Sequence, residues 1–184
     1  HLDALRFWLD RGVDGVRIDS AALLVKEPTL ADLGDDPGQL AQHPFVDLPG
    51  VHDVYRDWRR ITDGYDGDRI LIGEVWLPDR ERFTRYLRPD ELHTAFNFDF
   101  LGCAWQADRV RAVIDATLAD HAPVGAPPTW VLSNHDVVRH VTRYGRTDTS
   151  FSMDNRRLGE PSDLVLGTRR ARAVIMVTMA SPGT

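Results

Sequence analysis

Arg69-Ile70-Leu71-Ile72-Gly73-Glu74 is a short apolar run that leaves a turn-rich segment, Asp63-Gly64-Tyr65-Asp66-Gly67-Asp68, and ends on an acid. It reads as a β-strand. The stretch before it, with Val54, Trp58 and Ile61 at helical spacing, reads as a helix. Further upstream the order repeats. Leu2, Leu5, Trp8 and Leu9 recur at helical spacing and Gly12 follows as a C-cap, so residues 2–11 read as an amphipathic helix. Gly15-Val16-Arg17-Ile18-Asp19 then reads as another short strand ending on an acid. Short apolar runs alternating with stretches of helical period are the pattern of βα units and a parallel sheet.

The alternation continues downstream. Phe83, Tyr86 and Leu87 predict a third helix ended by Pro89, followed by a strand around Thr94 to Phe98. Residues 104–119 carry an apolar face through Ala107, Val110, Val113, Ile114 and Leu118. After the break at Ala126-Pro127-Pro128, Thr129-Trp130-Val131-Leu132-Ser133 reads as a fourth strand, a polar loop runs from Arg143 to about Gly167, and residues 168–180 form a last helix. Glu27 to Gly50 carries Pro28, Pro37, Pro44 and Pro49 and reads as a long irregular segment that covers a site or holds short elements of its own. No internal repeat is visible. Four strands with four or five helices amount to about half of an eight-stranded (β/α) barrel. A doubly wound sheet is the alternative, but it needs a glycine-rich phosphate loop or an equivalent switch-point site, and no Gly-x-Gly-x-x-Gly or Walker-type sequence is present. The fold class expected is α/β, a partial (β/α)8 barrel.

Composition narrows the function. The 184 residues are 42% hydrophobic and 27% charged, with a formal net charge of −6. That is globular material, one domain or a large part of one. An acidic balance argues against nucleic-acid binding, which needs clustered cations. No stretch approaches the apolar length of a membrane span, and His1-Leu2-Asp3 is neither an initiator Met nor a signal peptide, so the chain is expected to begin inside a larger domain. Cys103 is the single cysteine and fits a reducing compartment. Lys26 is the only lysine, so 21 of the 22 basic residues are arginine, as a GC-rich coding sequence produces. A bacterial cytoplasmic setting is the expectation.

Three strands end in acids: Asp19, Glu74, and Asp136 in Leu132-Ser133-Asn134-His135-Asp136. In a (β/α) barrel the C-terminal ends of the strands converge on one face. Crowded carboxylates keep one acid protonated while another stays an anion. Arg17, two residues before Asp19 and therefore on the same strand face, is placed to hold Asp19 ionised. This suits glycoside hydrolysis, which needs an anion at the anomeric carbon and a proton donor at the leaving oxygen. An acid after a strand is often only a helix N-cap or an edge ion pair. Three in order, in the local sequences below, favour chemistry.

Gly15-Val-Arg-Ile-Asp19, Gly73-Glu-Val-Trp76 and Ser133-Asn-His-Asp136 resemble the second, third and fourth signature regions of the α-amylase superfamily, glycoside hydrolase family 13, in the right order. Tyr65 to Trp76, Phe96-Asn-Phe-Asp-Phe100 and Asn134-His-Asp-Val-Val-Arg139 most resemble bacterial α-glucosidases and oligo-1,6-glucosidases. The resemblance covers essentially the whole chain and implies that residues 1–184 are a fragment of the catalytic (β/α)8 barrel domain, about strands 4 to 7, without the first signature region. It implies Asp19 as nucleophile, Glu74 as general acid/base, and Asp136 as the carboxylate that binds and distorts the reacting sugar. Arg17 would orient Asp19, His135 would donate to a sugar hydroxyl, and Arg139 would contact substrate, while Asn134 is structural. Val16 stands where the family usually has Phe. Ser20 departs from the Val or Ala common after the nucleophile, in a segment that bears on linkage preference. The implied activity is a retaining α-glucosidase acting on oligosaccharides of maltose or isomaltose type, without a cofactor. A transglycosylating or isomerising relative such as a trehalose synthase is the alternative, and a non-catalytic sugar-binding homologue a more distant one.

Other groups carry less. His135 and His140 do not share a helix face, so no metal pair is expected, and Asp63, Asp66 and Asp68 miss the EF-hand spacing. Trp58, Trp105 and Trp130 read as core, and Cys103 as a small core residue. Trp76 and Phe98, near strand ends, are expected to line the pocket.

Overall fold

A computed structural model describes residues 1–30, 32–33, 43–151 and 157–184. Four parallel strands occur in the order β1 (Gly15–Ile18), β2 (Ile70–Gly73), β3 (Thr94–Asn97) and β4 (Thr129–Trp130). Helices alternate with them: α1 (Leu2–Leu9), α2 (Gly50–Thr62), α3 (Arg80–Arg85), α4 (Phe98–Gly102), α5 (Ala107–His121), α6 (His140–Tyr144) and α7 (Leu164–Ala180). This is part of a (β/α)8 barrel. Among the described residues no helix is long and apolar enough to cross a membrane. The chain divides into two compact units, residues 1–95 with 124–126, and residues 96–123 with 127–184.

In the first unit, α1 buries Leu5 and Leu9 and stops at Asp10. Gly12, at φ +85°, turns the chain into β1 in a conformation that suits glycine. β1 and β2 pair in register over four residues, from Gly15 opposite Ile70 to Ile18 opposite Gly73. A Cβ on Gly15 would run into the Ile70 carbonyl, so glycine permits this close approach. α2 turns Val51, Tyr55 and Thr62 inward. The expected face through Val54, Trp58 and Ile61 is only half-buried, because the buried stripe lies beside it on the same helix. Ile18, Ala21, Val51, Tyr55, Leu71, Val75, Tyr86, Leu87 and Leu92 close the core of this unit.

One 3-10 turn, Ala21–Leu23, stands between β1 and the proline-rich segment. Residues 31 and 34–42, which include Pro37, lie outside the described residues. The described flanks are tied together by the Glu27 amide, which donates to the Pro44 carbonyl at 2.7 Å.

The second unit departs further from the expectation. β3 ends at Asn97, and its side chain accepts from the Phe100 amide at 2.8 Å and donates to Thr117 Oγ1 at 2.7 Å. That cap starts α4 at Phe98, which therefore stands on a helix and not at a strand end. β4 pairs with β3 only at Thr129 and Trp130, short of the expected Ser133. On its other side the Trp130 amide donates to the Thr184 carbonyl and the Thr184 amide to the Pro128 carbonyl, each at 2.8 Å, one step of a parallel ladder. Part of the expected polar loop is helical, since α6 occupies His140–Tyr144; residues 152–156 of that loop lie outside the described residues.

α7 begins before the expected 168 because Asp163 caps it, accepting from the Leu166 amide at 2.9 Å. Gly167, read from sequence as a loop boundary, sits inside α7, where its missing Cβ lets the helix lie against the Val141 carbonyl. The apolar face expected on α5 is half-buried, since Val110 and Ile114 line an open groove of about 550 Å³ with Trp105, Val174 and Val177. Arg143 is fully buried and donates to the carbonyls of Cys103 and Thr149 at 2.8 Å and of Leu101 at 2.6 Å.

Candidate active site

Because Ile18 and Gly73 are register partners on parallel strands, Asp19 and Glu74 leave the sheet side by side at its C-terminal edge. Arg17 joins them. Its Nη1 donates to Asp19 Oδ1 at 2.9 Å and its Nη2 to Glu74 Oε2 at 2.8 Å, so one planar guanidinium spans both carboxylates with charge-assisted bonds. The two acids differ in surroundings. The Asp19 side chain is 69% exposed and that of Glu74 only 5%. A buried carboxylate is costly unless its oxygens are satisfied. Glu74 Oε2 also accepts from the Ser20 amide at 3.2 Å, and Oε1 from Trp76 Nε1 at 3.3 Å. Trp76, expected to line the pocket, is thus a donor to Glu74.

The Ser20 contact lies beyond what the sequence signals. Ser20 has φ +47° and ψ +45°, a left-handed conformation uncommon for a residue with a side chain, and this turns its amide toward Glu74. Neither the residue type nor its spacing announces a main-chain donor.

The remaining sequence candidates stand in the second unit. Asn134 Oδ1 accepts from the Asp136 amide at 3.0 Å, so Asn134 has the structural part expected of it, fixing a turn. His135 Nε2 lies 3.3 Å from Asp136 Oδ2, both side chains being exposed. Arg139 is exposed just before α6. His140 Nδ1 is 3.1 Å from Ser133 Oγ, and its pKa is lowered by burial first and by Arg143 and Arg139 second. The half-buried Phe98 ring lies 6.2 Å from that of Phe96. The structure therefore brings Arg17, Asp19, Glu74 and Trp76 into one contact network, and His135 with Asp136 into another.

The family profile "Alpha amylase, catalytic domain" matches residues 1–158. The chain belongs to the alpha-amylase family. Among relatives of this alpha-amylase-family chain, Maltase A1 of Drosophila melanogaster is 31% identical over 173 residues, covering 79% of this chain and 30% of the maltase. An alpha-glucosidase of Candida albicans is 27% identical, covering 80% of this chain and 29% of its own. Solved structures agree. The alpha-glucosyl transfer enzyme XgtA is 31% identical with a TM-score of 0.66, covering 78% of this chain and 29% of the enzyme. A sucrose complex of an isomaltulose synthase variant from Erwinia rhapontici NX5 is 26% identical with a TM-score of 0.64, covering 78% and 28%. The chain thus spans about 30% of the length of the curated relatives it matches.

Proposed function

We propose that the protein carrying this chain is a retaining α-glucosidase that releases terminal α-linked glucose from short oligosaccharides of maltose or isomaltose type, with residues 1–184 forming part of its catalytic (β/α)8 domain. The observation that carries the reading is the single Arg17 guanidinium across Asp19 and Glu74. The names of the relatives, maltase and alpha-glucosidase, support the substrate class.

Asp19, the accessible carboxylate, attacks the anomeric carbon while Glu74 gives its proton to the leaving glycosidic oxygen. A β-glucosyl ester forms on Asp19 and the aglycone departs with that proton. Glu74 then takes a proton from water as the water oxygen attacks the same carbon, releasing glucose with its original configuration and restoring both acids. No cofactor enters. Arg17 holds Asp19 ready as an anion. Asp136 and His135 bind hydroxyls of the reacting sugar, Arg139 contacts substrate, and Trp76 and Phe98 supply apolar wall. A bacterial cytoplasmic setting belongs to the same proposal, supported by the arginine-rich, lysine-poor composition and the lone Cys103.

In the complete protein, Asp19→Ala abolishes ester formation, and azide restores turnover from the vacated face with net inversion. Glu74→Ala spares the first step for substrates whose leaving groups need no proton, such as nitrophenolates. Identical responses of the two variants to azide and leaving-group acidity would overturn the assignment. A second reading, transfer of the glucosyl group to a sugar in place of water, is favoured by the solved neighbours named as a glucosyl transfer enzyme and an isomaltulose synthase. Product analysis separates them: free glucose alone supports hydrolysis, and a new disaccharide supports transfer.

A further inference from the structure

The chain that follows Asp19 is held from behind by groups that the chemistry above does not use. Ser20 directs its amide to Glu74 Oε2, and the next amide, Ala21, donates to the Glu74 main-chain carbonyl at 2.9 Å. Both donors depend on a left-handed Ser20. Such a conformation costs of order 1–3 kcal/mol for a residue with a side chain and persists only where the surroundings over-determine it. Two anchors do so. The Tyr55 hydroxyl on α2 donates to the Ala21 carbonyl at 2.5 Å. The Asp47 amide donates to the Ala22 carbonyl at 2.8 Å, while the Asp47 carboxylate accepts from the Tyr86 hydroxyl at 2.5 Å and pairs with Arg82.

The first anchor is the more direct. Tyr55 is fully buried, with its ring edge-on to Trp58 at 5.9 Å and tilted against Tyr86 at 5.8 Å. Burial, with Glu91 nearby, pushes its hydroxyl above the ordinary tyrosine range, so it stays a donor at every working pH.

We propose that Tyr55 is a positioning residue for Glu74: its hydroxyl fixes the Ala21 carbonyl and so holds the Ser20 amide on the Glu74 carboxylate. The inference rests on the acid/base reading of Glu74. A tyrosine that only satisfied a buried carbonyl would contribute to folding and nothing else. One that positions Glu74 matters most where a proton must be delivered to the leaving oxygen.

The test is Tyr55→Phe in the complete protein, which keeps the ring and removes the hydroxyl. The readout is kcat/KM, which reports the steps through ester formation, on maltose or isomaltose and on 4-nitrophenyl α-glucoside. Slight misplacement of a catalytic group lowers the rate for the disaccharide by about tenfold. The activated substrate, whose leaving group needs no proton, stays within about twofold. Equal losses on the two substrates, or no loss on either, overturn the inference. Glu74→Ala serves as reference. If it does not split the two substrates, the reading of Glu74 fails and the inference falls with it; if it splits them and Tyr55→Phe does not, the inference alone fails. Should Tyr55→Phe not fold, Tyr86→Phe at the second anchor must give the same split in smaller degree, and its absence overturns the proposal equally.

Discussion

Glu74 in the first unit and Asp136 in the second are held in opposite ways. In the first, Glu74 is buried and takes hydrogen bonds from Arg17, Ser20 and Trp76, three points on two neighbouring strands and the turns that follow them. In the second, Asp136 is 47% exposed and meets the ring of the preceding His135 and the side chain of Asn134, two residues away. The strands explain this. β1 and β2 share a register of four residues and deliver their C-terminal ends as a matched pair, whereas β4 pairs with β3 over two residues and then gives way to turns. Long-range register preorganises a group before substrate arrives; a local turn leaves the arrangement more dependent on what binds.

The largest expected effect tests the roles given to one carboxylate of each unit. In the complete protein, Asp19→Asn is expected to lower kcat/KM by about 10^4-fold or more, as loss of a nucleophile does. Asp136→Asn is expected to cost about 10^2- to 10^3-fold, the scale for losing one electrostatic contact to the transition state. Equal losses would overturn the division of roles between the two carboxylates. Stability gives a contrast of intermediate size. A methyl on Gly167 meets the Val141 carbonyl, which is main chain and cannot step aside, so Gly167→Ala should destabilise by about 2–3 kcal/mol. A methyl on Gly73 meets the end of the Leu92 side chain, at 2.5 Å, and Gly73→Ala should cost about 1 kcal/mol. Urea midpoints of the complete protein measure both.

The smallest effect concerns pH. Burial, and after it Arg59, lowers the pKa of His93, whose Nδ1 accepts from the Leu71 amide at 3.0 Å. Between that lowered value and the ordinary one near 6.5, the unfolded chain binds the proton more readily. Its contribution is therefore full above about pH 6.5 and is lost as pH falls through that value toward the lowered one. His140 shifts in the same direction, but faces the Ser133 hydroxyl, which can turn to accept a hydrogen bond from the protonated ring. Unfolding measured from pH 7 to 5 should thus flatten more in His93→Gln than in His140→Gln; the reverse order would contradict this account.

The sequence carried the first unit well because its signals are local and periodic. Apolar runs mark β1 and β2, and the i, i+2 spacing of Arg17 and Asp19 puts them on one strand face, where the guanidinium joins them. What could not be read is work done by main chain and by packing. The Ser20 amide has no residue-type signature, and Gly167 looks like a loop glycine until α6 is seen against it. The burial stripe of α2 through Tyr55 was missed because Val54, Trp58 and Ile61 offer an equally apolar helical spacing. Phe98 was placed at a strand end because Asn97, the cap that turns the chain, is also an ordinary strand-end residue.

Arg143 carries one further consequence. Its guanidinium serves carbonyls from two separate segments, Leu101 in the last turn of α4 with Cys103 just after it, and Thr149 after α6. Neither segment can swing away without stranding a buried carbonyl or dragging the arginine with it, so their fluctuations are coupled. Hydrogen–deuterium exchange of the complete protein should find the amides around 101–104 and 147–150 opening with one common free energy, as a single cooperative patch that no sheet or helix defines.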